Sequence, residues 1–118
     1  MKEQANRIRI KRAYEPPEAE DGARVLVDRL WPRGLHKASA ALSCWMKEVA
    51  PSPQLRKWFG HDPERFEEFA RRYRAELAGN NEAVARLREL ARQGRVTLVY
   101  AARDKDCNHA VVLAKFLE

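Results

Sequence analysis

The stretch from Arg24 to Gly34, RVLVDRLWPRG, constrains the fold of this chain more than any other. Val25, Leu26 and Val27 are a short apolar run rich in β-branched residues, the pattern of a strand buried on both faces. Asp28, Arg29, Trp31, Pro32, Arg33 and Gly34 then place charge, a large ring and two breakers where that strand, expected over Arg24 to Trp31, should end. A second run of the same kind, Arg95 to Ala102 (RVTLVYAA), predicts a central strand beside the first. Strands apolar on both faces need cover on both sides. The expected fold class is therefore α/β, a single three-layer domain over residues 1–118 with a small central parallel or mixed sheet flanked by helices. In such sheets ligands collect at the strand ends, which is where the functional surface is expected.

The other segments fit this plan. Arg7 to Lys11, RIRIK, alternates basic and apolar residues with period two and predicts a half-exposed strand near a sheet edge, its outer charge discouraging edge pairing. Glu15 to Gly22, EPPEAEDG, predicts a surface connection. Leu42, Trp45, Met46 and Val49 fall at i, i+3, i+4 and i+7, favouring at least two helical turns within Leu35 to Val49, closed by Pro51. Ser52 with Pro53 predicts a capped helix to about Phe59, stopped by Gly60. Asp62 with Pro63 repeats the device. Phe66, Phe69, Ala70, Tyr73 and Leu77 then form one apolar stripe to Gly79, with Glu67–Arg71 and Glu68–Arg72 expected as solvated pairs on the outer face. Asn80 or Asn81 should cap the next helix, which carries Val84, Leu87, Leu90 and Ala91 until Gly94. A polar loop, Arg103 to Asn108, leads into a closing helix over Ala110 to Leu117.

The 118 residues are 45% hydrophobic and 34% charged, a soluble globular composition with nothing as long as a membrane span. Met1 to Arg12 holds no apolar segment of the export-signal kind, so the cytoplasm is the expected location. Cys44 and Cys107 have no metal-ligand spacing and are expected as reduced thiols, Cys44 as a small core hydrophobe and Cys107 as incidental. The net charge of +6 points towards an anionic partner, either a small molecule or nucleic acid. No zinc-finger, RNA-recognition or helix-turn-helix motif is legible.

Three segments, VLVDRLWPRG (Val25 to Gly34), LRKWFGHDPERFEEFARRYRAEL (Leu55 to Leu77) and VTLVYAARD with NHAVVLAKFL towards the end, resemble the YeaO-like family, a widespread bacterial set of small proteins classed as a domain of unknown function. The resemblance covers almost the whole length. It implies a compact cytoplasmic α/β domain and no particular reaction. The matching polar positions are Asp28, Arg29, Trp31, Arg33, Gly34, His61, Asn108 and His109.

Parallel central strands would bring Arg29, Arg33 and Arg103 to their carboxyl ends, beside the start of the last helix. Guanidinium forks and helix N–H groups there would hold a phosphate, sulfate or carboxylate without a metal or other cofactor, with Asn108 and His109 orienting the ligand and Trp31 as an apolar wall. Alternatively, Arg29 pairs structurally with Asp28, Asp104 or Asp106. His109 and His61 are the candidate general bases, with Asp28 as orienting partner, should the same pocket be catalytic. Asp104, Asp106 and His109 spell D-x-D-x-x-H, a spacing that capping explains as well as metal binding does, so no metal ligands are assigned. Trp45 and Trp58 are expected in the core. A protein-interaction module is the remaining reading of the basic surface.

Overall fold

The computed structural model describes residues 8–118. Arg7, expected to open the first strand, lies outside the described residues, as does much of the N-terminal stretch read for an export signal. Four strands, β1 (Ile8–Arg12), β2 (Ala23–Leu26), β3 (Cys44–Trp45) and β4 (Val96–Tyr100), form one sheet in the order β1-β4-β2-β3. Every pairing is parallel, which settles the direction that the sequence leaves open. The described residues also form five α-helices: α1 (Lys37–Ala40), α2 (Pro53–Phe59), α3 (Phe66–Ala78), α4 (Asn81–Gln93) and α5 (His109–Leu117). Among the described residues no helix is long and apolar enough to cross a membrane.

Strand alternation gives the sheet two unlike faces. Val25 of β2 and Val27 just beyond its end, with Val96, Leu98 and Tyr100 of β4, join the main core beneath α2 to α5. There Phe59, Phe69 and Tyr73 stack in sequence, and Leu77, Val84, Leu87 and Leu113 close the layer. Leu26 and Val99 point the other way and pack with Ala13, Trp31, Leu35 and Leu42 in a second, smaller cluster. Beside that cluster the same face is polar. Asp21, fully buried, accepts from Arg24 Nη1 (2.6 Å), Lys11 Nζ (3.2 Å) and the Glu18 backbone N–H (3.0 Å), while Glu18 takes Lys11 Nζ at 2.8 Å. Two cations thus meet two carboxylates under the sheet. The acidic connection lies on the surface as expected, except that Asp21 turns inward, because a buried Lys11 and Arg24 need a counter-charge.

The predicted helix over Leu35 to Val49 is replaced by α1, β3 and a 3₁₀ turn over Lys47–Val49. Ala41 adopts a left-handed conformation (φ 48°) that stops α1. The open edge of β2 then offers partners that a helix would forgo: Ser43 N–H donates to the Arg24 carbonyl and Met46 N–H to that of Leu26. Met46 and Val49 remain buried, whereas Cys44 and Trp45, both expected in the core, are exposed on this edge strand. Trp58 is half-buried, with the guanidinium groups of Arg72 and Arg65 over its ring. The long helix opens with a 3₁₀ turn at Pro63–Arg65, and Glu68 takes both Arg71 (2.5 Å) and Arg72 (2.7 Å); the expected Glu67–Arg71 pair is not formed. Ser52 Oγ caps α2 by accepting from Leu55 N–H and Asn108 Oδ1 caps α5 by accepting from Val111 N–H, whereas the expected Asn80 or Asn81 side-chain cap is not formed: Asn80 stands at the N-cap of α4 but its Nδ2 donates to the Glu48 carbonyl instead.

Two consequences for stability follow from the polar face. Gly22 has φ +65°, and a Cβ built on it would lie 2.2 Å from the Arg95 carbonyl oxygen, a backbone atom at the start of β4. Gly22→Ala combines backbone strain with that clash and is expected to cost at least about 2 kcal/mol, lowering the melting temperature by about 8 °C or more. Burial alone would push the Asp21 carboxyl up, but the Glu18 N–H, Lys11 and Arg24 outweigh it and hold the group below its ordinary value of 3.8. A depressed carboxylate stabilises the fold fully above its unfolded value and loses that contribution as pH falls through the folded one. Asp21→Asn should therefore melt lower than the parent at pH 7, with the gap narrowing as both are titrated below pH 4; thermal melts across pH check this.

Candidate functional site

The carboxyl ends of β2 and β4 open into a cleft of about 590 Å³. Its floor is set by Asp28, the first polar residue after the buried run of β2. Asp28 Oδ2 accepts from the Ala101 N–H at 3.1 Å, so the side chain extends the β2–β4 ladder past the last paired residues. His109, at the start of α5, brings Nε2 to 2.9 Å from Asp28 Oδ1 and 3.2 Å from the Val27 carbonyl oxygen. Both neighbours are acceptors, so the hydrogen sits on Nε2. Oδ1 is buried and has no well-aligned hydrogen bond, leaving its interaction with the imidazole largely electrostatic. Asp28 and His109 are thus brought together across 81 positions of sequence because two parallel strands end side by side.

The walls come from four other segments. Arg29 donates to the carbonyls of Ala50 and Pro51, both at 3.3 Å, and makes no ion pair with Asp28, Asp104 or Asp106. Arg103 lines the cleft from the β4 side and Arg56 from α2, and neither forms an ion pair among the described residues. His61 also lines it, held at φ +59° beside Phe59. Leu30, Trp31, Phe59 and Phe69 supply the apolar surface. Trp31 is fixed by donation from Nε1 to the Leu35 carbonyl (2.8 Å) and by an edge contact with Trp45, whose own Nε1 donates to the Asp28 carbonyl (2.7 Å).

The β4–α5 loop is held from within. Asp104 Oδ1 accepts the N–H groups of Asp106 and Cys107, both at 2.9 Å, and these bonds lower its carboxyl below the usual range. Asn108 is almost fully buried: its Oδ1 caps α5 and its Nδ2 donates to the Asp104 carbonyl at 2.8 Å. Arg12 anchors the other end by donating to the carbonyls of Ala101 and Ala102. Burial, with Asp104 and Asp106 nearby, pushes the Cys107 thiol up, away from a reactive thiolate.

The cleft therefore gathers Asp28, Arg29, Trp31, His61, Arg103, Asn108 and His109 of the residues singled out by sequence. Arg33 is not among its lining residues, and its carbonyl accepts from the Tyr14 hydroxyl (2.8 Å). Arg56 is the addition that sequence reasoning missed. It lies on a helix whose charged positions look solvated, and only the packing of α2 beside the strand ends sets this exposed arginine along the wall of the cleft. Three guanidinium groups face two carboxylates here, and each carboxylate already accepts backbone N–H groups.

The chain is 49% identical over 111 residues to "Uncharacterized protein Rv3073c" of Mycobacterium tuberculosis, covering 94% of this chain and 93% of that one. It is 46% identical over 110 residues to "Uncharacterized protein YeaO" of Escherichia coli, covering 93% of this chain and 96% of the relative. No solved structure matches. A family model described as "Inactive DUF488-N3 subclade" matches residues 7–118, and with these relatives it shows that the chain belongs to that YeaO-like family.

Proposed function

We propose that the protein binds a small phosphate-bearing ligand, a nucleotide above all, in the cleft at the strand ends. The observation that carries this reading is the pair Arg56 and Arg103, cations without ion-pair partners among the described residues, on the walls of a cleft whose surface is mostly apolar. Its volume suits a small molecule, and its apolar sides suit a flat ring. Arg29 adds a third guanidinium, Trp31 a ring face, and Asn108 positions the loop rather than touching the ligand, since both ends of its amide are engaged. The word "inactive" in the description of the family model supports binding over turnover.

A second reading, an enzyme with His109 or His61 as general base in the same cleft, is favoured for His109 by its 2.9 Å approach to Asp28. With the hydrogen on Nε2, Nδ1 is the basic atom, oriented through Asp28. The two readings part on the fate of the ligand. Recovery of unchanged nucleotide after prolonged incubation is expected; a product whose formation is lost in His109→Gln would establish the enzyme instead.

Adenosine 5′-monophosphate at about a hundred times its dissociation constant should stabilise the fold by about 2.7 kcal/mol in a thermal melt. Arg56→Ala and Arg103→Ala should each weaken binding about tenfold by calorimetry, while Arg33→Ala, outside the cleft, leaves it unchanged. No thermal shift with nucleotides, inorganic phosphate or carboxylates would move the protein into the interaction-module class.

A further inference from the structure

Next to the cleft lies a second, shallower hollow, lined by Pro53, Arg56, Lys57, Gly60 and His61. Arg56 and His61 line both spaces and so form the partition between them. Three of the five residues are basic types and none is acidic, unlike the cleft, where Asp28 and Asp104 balance part of the charge. The nearest carboxylate in sequence, Asp62, is committed to its own turn, accepting from Glu64 N–H at 3.0 Å and facing Arg65. Arg56, Lys57 and His61 form no ion pair among the described residues. Lys57 lines the hollow and not the cleft.

Resting on the nucleotide reading of the cleft, we propose that the hollow is a second phosphate subsite and that the ligand is a nucleotide carrying two separately attached phosphates. Its ring lies against the apolar cleft walls with one phosphate near Arg103. The other phosphate sits across the partition, held by Lys57 and by Arg56, which serves both sides. A guanidinium presents donors along two edges of one plane, so a single Arg56 can bridge two anions lying in that plane. Such chemistry belongs equally to a free nucleoside bisphosphate and to the phosphorylated end of a nucleic-acid strand, and an experiment can separate them.

The test compares adenosine 5′-monophosphate, adenosine 3′,5′-bisphosphate and a 5′-phosphorylated tetranucleotide by calorimetry, on the parent protein and on Lys57→Ala. The bisphosphate should bind more tightly than the monophosphate, and Lys57→Ala should weaken the bisphosphate about fivefold while leaving the monophosphate unchanged. A tetranucleotide that binds as tightly as the bisphosphate and shares its dependence on Lys57 identifies the strand end as the ligand; one that binds no better than the monophosphate identifies the free nucleotide. Equal affinity for mono- and bisphosphate, or a Lys57→Ala variant that binds all three as the parent does, overturns the second subsite and leaves the cleft reading standing. Failure of all three to bind the folded parent protein overturns both. Lys57 is exposed on α2 and has no described side-chain partner, so the variant keeps the fold, which a thermal melt checks.

Discussion

The parallel pairing of β2 with β4 is the interaction on which the rest of the structure depends. It is fastened at both ends. At the start, Gly22 packs its α-carbon against the Arg95 backbone and Ala23 N–H donates to the Arg95 carbonyl at 2.9 Å. At the finish, Val27 N–H donates to Val99 and the Asp28 carboxylate replaces the next backbone acceptor by taking Ala101 N–H. The cleft exists because the chain diverges there: beyond Val27 the loop turns outward, leaving Leu30 60% exposed, while β4 leads into the α5 loop. Asp28 is thus both the end of the ladder and the floor of the site.

The two faces of that ladder are held by different physics. Under the helices the sheet is closed by area alone, with aromatic rings and aliphatic side chains in contact and no charge among them. Beneath the opposite face, Lys11 of β1 and Arg24 of β2 both pair with Asp21 between them, Arg24 Nη2 being left without a partner, and Thr97 of β4 adds a hydroxyl bond to the Asp21 carbonyl at 2.7 Å. Buried ion clusters add little net stability over an apolar filling, but losing a partner is costly. Here the cluster guards the register. A slip by one residue would turn Lys11 and Arg24 towards the apolar helices, so misaligned sheets are penalised strongly.

Much of this was legible in the sequence because it is written locally. Val25 to Val27 and Val96 to Tyr100 announce central strands through composition, and Ser52-Pro53 and the Phe66 to Leu77 stripe announce helices through caps and period. The segment from Leu35 to Val49 misleads for the opposite reason. Its apolar spacing is helical, but the free edge of β2, a tertiary feature, recruits Cys44 and Trp45 into a two-residue strand and turns both outward. The site divides the same way. Asp28, Arg29 and His109 stand out at predicted strand and helix ends, whereas Arg56 is one of many helical arginines until α2 is docked, and Arg33 is carried away by the loop that Tyr14 holds.

The strand order has a further meaning for how the molecule comes into being. β4 lies between β1 and β2, yet it follows both in the chain by about seventy residues or more. Until it is made, β1 and β2 have no common neighbour, and α2 to α4 have only part of a sheet to cover. Pairings this distant require large loops to close before they gain anything, which slows folding relative to a chain of local contacts. Assembly on the ribosome must accordingly wait for the last quarter of the sequence, and during that interval the apolar run of β2 depends on its own shortness, and on the charged residues flanking it, to stay out of unwanted pairings.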